Sequence, residues 1–266
     1  MPRISIGDCQ LYYERYGSGF PVMFITGLGG YGAFWREQTP AFAKEFEVIL
    51  HDQRGIGQSD HSRISYTVER LAADVVGLMD ALGIAKAHVV GHSTGGAIAQ
   101  ILAIEHPERL ASAVISASWT KADAYFRRLF TLRKEILNRL GPGSYLQAST
   151  LFLYPAFWVA QNNEKLRQLE AQNLATFSAP EIVTSRIDAI LAFDRSTELG
   201  RIRTPVLVVA AQDDVITPPY FSEELARLIP GAEVKIFPQG GHCFTQVVPR
   251  EFNAAVLPFL KAHTPN

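Results

Sequence analysis

The sequence predicts an α/β fold, a mostly parallel central sheet flanked by helices and interrupted by an all-helical insertion. Three observations predict it. Six runs, "PVMFITG", "FEVILHD", "AHVVGH", "LASAVISAS", "TPVLVVAAQ" and "AEVKIFPQ", are of strand length and nearly all apolar, as strands become when helices cover both faces of a sheet. Amphipathic segments such as "TVERLAADVVGLMDALGI" separate the first four, with apolar residues at helical spacing. From about Thr120 to Gly200 the alternation stops and the segments all read as helices.

In chain order, "ISIGDCQLYYERYG" reads as two short strands joined by a turn at Gly7-Asp8. Next come Gly27, Gly29 and Gly32 in G-x-G-x-x-G spacing after an apolar run, with Asp52 twenty residues beyond at the end of the next run. That is the outline of a dinucleotide fingerprint. Against it stands the preceding pair of strands, since dinucleotide folds usually begin with the glycine-turn strand. No cofactor is expected. After Trp119 come "ADAYFRRLFTLRKEILNRL", "GSYLQASTLFLYPAFWVAQ", "NEKLRQLEAQNLATF" and "PEIVTSRIDAILAFD". Residues 1–119 and 201–266 then form one core domain, and 120–200 a helical cap, or lid, over the strand ends. The alternative is that these helices only extend the main layer.

A chain of 266 residues can bury one good-sized core. Its formal net charge of -1, with Lys and Arg spread along the chain, argues against nucleic acid. No run approaches the roughly 18 apolar residues of a membrane span, and the N-terminus has no signal-peptide pattern. Cys9 and Cys243 allow at most one bridge and offer no metal pattern. These features predict a cytoplasmic enzyme without metal, acting on a small-molecule substrate, with a homodimer left open.

The strongest chemical signal is "HVVGHSTGGAIAQILAIEHP". Gly91-His92-Ser93-Thr94-Gly95 fits G-x-S-x-G between a β-prone run and an amphipathic helix. A sharp strand-to-helix turn crowds neighbouring backbone so closely that only glycine fits beside the serine. It also lifts the Ser93 hydroxyl to a helix N-terminus, where developing negative charge is favoured. A serine needs a base, and the base needs an orienting acid. Of the seven histidines, His242 in "PQGGHCF" follows a strand on a glycine-flexed loop and can reach back over the strand ends. His92, inside the turn, is expected to face away from the hydroxyl. "TPVLVVAAQDDVITPP" ends a strand with Asp213 and Asp214. Asp214, four residues before Pro218, is favoured as the acid, and Asp213 is left for turn formation or a cap.

The order Ser93, Asp214, His242 distinguishes one class of serine hydrolase from the others. With "TGLGG", "HDQRGIGQSD", "GHSTGG", "QDDVITP" and "GGH" in order and rough spacing, the chain resembles the α/β-hydrolase family over nearly all its length. The resemblance implies an oxyanion hole made by the backbone N–H of Leu28, with Gly29 as the alternative, and that of Thr94. It also implies a structural use of "HDQRGIGQSD", in which Asp52 holds a turn or pairs with Arg54. Thr26 stands where many relatives have histidine, which puts the loop's detailed hydrogen bonding in question. Within the family, "ITGLGGYGAFW", "DQRG", "QGGH" and the lid segment "LFLYPAFW" resemble the aminoacrylate hydrolases of pyrimidine catabolism. Enol-lactonases, carboxylesterases and carbon–carbon bond hydrolases of aromatic breakdown share the core motifs.

The expected activity is hydrolysis of a C–N (amide or enamine-like) or ester bond in a small, partly apolar acyl compound. His242 takes the proton of Ser93, which attacks the carbonyl; with an enamine acid the pair positions water instead. Trp119, Tyr154 and Trp158 are the chosen substrate-lining residues. Arg127, Arg128 and Arg186 read either as greeting a substrate carboxylate or as a solvated helix face. A cofactor-free oxygenase and a non-catalytic ligand-binding member of the fold remain the rival classes.

Overall fold

The structure, a computed structural model, describes residues 2–265. Eight strands form one sheet: β1 (Arg3–Ser5), β2 (Gln10–Tyr16), β3 (Pro21–Ile25), β4 (Glu47–His51), β5 (Ala87–His92), β6 (Leu110–Ser116), β7 (Val206–Ala211) and β8 (Glu233–Phe237). Their order across the sheet is β1-β2-β4-β3-β5-β6-β7-β8. The first two pair antiparallel, as does β2 with β4, and β3 to β8 are parallel. All eight fall on the runs that the sequence marks as strands.

Period-two alternation sorts the strand side chains into two cores. Val22, Phe24, Val48, Leu50 and Val90 pack on one face with Phe42 of α1 (Thr39–Phe42). The same core takes Phe244 of α9 (Phe244–Val247) and Phe252, Val256 and Leu260 of α10 (Pro249–Ala262). Met23, Ile25, Ile49 and Val89 face the other way. They meet α2 (Val68–Ala81), α3 (Thr94–Glu105) and α8 (Pro219–Leu228).

Between β6 and β7 lie α4 (Ala124–Leu153), α5 (Ala156–Gln161), α6 (Asn163–Ala175) and α7 (Pro180–Ala192). α4 is two arms joined at Gly141, whose φ of 81° is not helical, with Pro142 following. Pro155, extended, ends the second arm and starts α5. A single bridge between Lys121 and Asp194, with Arg195 N donating to Thr120 O at 3.0 Å, closes the base of the insertion. No strand occurs inside it among the described residues, and no helix is long and apolar enough to cross a membrane.

From β3 the chain moves one way to β4, then returns past β3 to β5. Side by side, β3 and β5 therefore carry their loops to the point where strand order reverses, the crevice where open α/β sheets bind ligands.

Candidate active site

Ser93 caps α3 with φ 56° and ψ −116°, a conformation costing a non-glycine residue about 1–3 kcal/mol. The surroundings hold it there. Its N–H donates to Ser116 O at 2.7 Å, and its carbonyl accepts from Gly96 N at 2.9 Å, Ala97 N at 3.2 Å and Ser118 Oγ at 2.9 Å. The flanking glycines are obligatory. A Cβ on Gly91 would lie 2.1 Å from Gly95 O, and one on Gly95 2.1 Å from Ile25 O.

The loop after β3 closes over the serine. A Cβ on Gly27 would lie 2.9 Å from Ser93 Cβ and 3.3 Å from its Oγ. Thus Leu28 follows a residue in contact with the nucleophile position. Among the described residues neither the Leu28 N–H nor the Thr94 N–H donates to a protein acceptor. Thr26 Oγ1 donates to Tyr31 O at 2.9 Å, and Gln53 Nε2 to Thr26 O at 2.6 Å. This chain thereby ties the loop without a histidine at 26. The glycines serve this turn, since Gly32 is pressed against the backbone of His51, 3.0 Å from a would-be Cβ. Asp52 holds turns by accepting from Gly32 N and Gln58 N, both at 2.9 Å. It does not pair with Arg54, which is bound instead by Asp74 and Asp8.

His242 Nδ1 lies 2.8 Å from Asp214 Oδ2. A carboxylate only accepts, so Nδ1 carries the proton and Nε2 is left as the basic atom. Asp214 is fixed by four donors: His242, Thr217 Oγ1 at 2.8 Å, and the N–H groups of Ile216 and Thr217 at 2.7 and 3.0 Å. Asp213 has a separate task, accepting from Gly241 N at 2.8 Å and so anchoring the loop that carries His242. Leu153 at the end of α4 accepts from Cys243 N at 3.0 Å. The helical insertion thus grips the same loop.

The His92 ring stands 4.9 Å from that of His242 and stacks on Phe34. It connects the elbow to the His242 loop in space. Burial, and then the neighbouring His242, hold His92 well below the usual histidine range. The Ser93 side chain makes no capping hydrogen bond to α3, and catalytic hydrogen bonds often tighten only with substrate bound.

Tyr154 and Trp158 stack at 4.6 Å and pack with Cys243, beside the histidine loop. Trp119 is not with them. It is fully buried among Phe126 and Phe193, because the first arm of α4 covers it. Of the two readings of Arg186, the solvated face is ruled out: it is 1% exposed, whereas Arg127 and Arg128 are exposed. Its guanidinium donates to Leu28 O at 3.2 Å, Arg54 O at 3.0 Å and Gln53 Oε1 at 2.5 Å. Thr217 and Gln53 are supporting residues to which sequence reasoning gave no role, although both stand inside matched motifs, and the role of Arg186 in holding Leu28 O emerges only from the folded chain.

The α/β-hydrolase fold family matches residues 21–245. The chain belongs to that family. It is 41% identical over 259 residues to RutD of Azorhizobium caulinodans, provisionally named a carbamate hydrolase, across 97% of this chain and 98% of the relative. A relative of the same name from a Caulobacter species is 42% identical over 94% of this chain and 95% of its own. Among solved structures, the enol-lactonase of Burkholderia xenovorans superposes with a TM-score of 0.91 at 26% identity, covering 98% of this chain and 100% of that one. The protein is therefore an α/β-hydrolase enzyme.

Proposed function

We propose that the protein hydrolyses a C–N bond, of carbamate or enamine-like type, in a small catabolic acid, using Ser93, His242 and Asp214. The observation that carries the reading is the buried 2.8 Å contact between His242 and Asp214, one ring away from a serine held at a strained elbow. Similarity over nearly the whole chain to relatives named for carbamate hydrolysis supports the bond type.

In the acyl route, His242 Nε2 takes the Ser93 proton as Oγ bonds to the carbonyl carbon. The carbonyl oxygen becomes an oxyanion held by the N–H groups of Leu28 and Thr94, each worth ~3 kcal/mol by analogy with known oxyanion holes. Collapse expels the amine, which takes the proton from His242. Water then gives a proton to His242 as it attacks the acyl carbon, and His242 passes that proton to Ser93 Oγ as the acyl C–O bond breaks and the acid leaves. With an enamine acid or a carbamate, Ser93 and His242 orient water for direct addition. Residues 120–200 act as the lid, with Tyr154 and Trp158 facing substrate. A cytoplasmic location belongs to this reading and suits two free, buried cysteines. Enol-lactone hydrolysis is the second reading, favoured by the close superposition on the enol-lactonase.

The test is a turnover panel of small carbamates, amides, enol-lactones and short p-nitrophenyl esters, against Ser93→Ala. Preference for C–N substrates with at least ~10³-fold loss in Ser93→Ala supports the proposal. Ser93→Ala at a tenth of wild-type turnover or better rules out covalent catalysis.

A further inference from the structure

Arg133 carries a charge that no carboxylate among the described residues answers. It lies on the first arm of α4, 6% exposed, with its guanidinium over the rings of Phe130 at 5.0 Å and Tyr145 at 5.4 Å. Nη2 donates to Tyr145 Oη at 3.1 Å and Ser149 Oγ at 3.2 Å. Nε is buried without a partner. Nη1 makes no hydrogen bond, and no carboxylate pairs with the group among the described residues. Burying a charge is costly unless an anion meets it. Two hydroxyls satisfy part of its donor set and none of its charge.

Arg133 is tied to both loops of the site through its partners. Ser149, which it contacts, lies on the second arm of α4, whose last residue, Leu153, accepts from Cys243 N at 3.0 Å, next to His242. Tyr145 packs edge-on to Phe177 at 6.0 Å, and the adjoining Ser178 Oγ donates to Gly55 O at 2.5 Å. The preceding carbonyl, Arg54 O, is held by Arg186 together with Leu28 O. Arg133 is thus linked to the histidine loop and to the Leu28 loop, with free donors.

We infer that Arg133, framed by the Tyr145 and Ser149 hydroxyls, binds the carboxylate of a small acidic substrate and so holds its scissile bond over Ser93. This rests on the hydrolase reading and narrows its substrate to compounds with a free carboxylate. A planar guanidinium offering two free N–H groups suits a carboxylate in a way that a neutral ester does not. The competing explanation is a brace: Tyr145 and Ser149 lie beyond the bend at Gly141, so Arg133 also ties the two arms of α4 together.

The experiment separates these. Binding of malonate and of its neutral diamide is measured by calorimetry on wild type, Arg133→Met and Arg133→Lys, beside kinetics with mono-p-nitrophenyl succinate and p-nitrophenyl butyrate. Malonate is expected to bind wild type at least tenfold tighter than the diamide, and Arg133→Met to lose that preference. The same variant should raise KM for the acidic ester at least tenfold while KM for the neutral ester moves less than threefold. Arg133→Lys, which keeps the charge, should recover part of the malonate affinity; if the methionine variant does not fold, the lysine variant carries the test through a smaller rise confined to the acidic ester. Parallel loss on both esters, or malonate binding indifferent to residue 133, marks a brace alone and overturns the inference. Malonate binding without turnover of any ester would leave this site standing and sink the hydrolase reading; neutral-ester turnover without malonate binding does the reverse.

Discussion

Arg54 in the sheet layer and Arg186 in the helical insertion are buried equally, each 1% exposed, and their charges are met in opposite ways. Arg54 is gripped by both oxygens of Asp74, at 2.8 and 2.7 Å, and by Asp8 at 2.8 Å. That pairing raises it above the usual arginine range. Arg186 faces two backbone carbonyls and a glutamine, and burial pulls it down to about 10. Arg133, a second insertion arginine, is also without a carboxylate. Arg54 is closed into structural pairs. Arg186 and Arg133 meet no carboxylate among the described residues, and Arg186 instead holds Leu28 by its carbonyl.

This contrast can be broken at several points. The largest effect is expected at the sheet edge: His242→Ala should lower kcat/KM at least ~10⁴-fold with little change in melting temperature. A comparable loss of stability would mean that the residue is structural. Next comes Arg54→Met, which leaves buried Asp74 with only its 3.6 Å contact to Arg70 and should cost about 3 kcal/mol in urea unfolding. A cost below that of Arg186→Met would reverse the comparison.

The sheet layer also holds His51 and His88 neutral, both lowered by burial from 6.5 to about 4. Unfolded, each takes a proton below pH 6.5, so the unfolded chain binds more protons and stability falls with pH. Stability present above pH 6.5 should decline toward pH 4, by about 3 kcal/mol per histidine at the lower end. Urea midpoints across that range measure it, and replacing His88 with glutamine should flatten the slope. Smallest is Arg186→Met, expected to cost about 1–3 kcal/mol for the acceptors left unpaired. Its sharper signature is a fall in kcat as the Leu28 loop loosens, whereas the same substitution at Arg54 should act through stability.

The two regions were also unequally legible in the sequence. Strands buried on both faces must be apolar throughout, so β3 to β7 stand out. Gly91 and Gly95 are read from backbone crowding alone, which local sequence encodes. Asp214 was separable from Asp213 by its place before Pro218, although its partner Thr217 was not. The insertion is held by side-chain packing between distant segments, which no spacing reports. Arg186 in "PEIVTSRIDAILAFD" looks like one charge on an ordinary helix face, and only the folded chain turns that face inward to Leu28. The burial of Trp119 was illegible for the same reason. An aromatic at the insertion's start reads equally as lining or as core, and the first arm of α4 decides it. Asp52 and Arg54, neighbours in sequence, found different partners because the glycine turn draws Asp52 onto Gly32 and Gln58.

The central claim is that His242, steered by Asp214, activates the hydroxyl of Ser93. The most direct measurement is the rate and site of labelling by a fluorophosphonate, followed by intact mass and peptide mapping. A single adduct on Ser93, forming at least ~10³-fold more slowly in His242→Ala, is the predicted result. An adduct at another residue, or labelling of Ser93 at an unchanged rate without the imidazole, would contradict it.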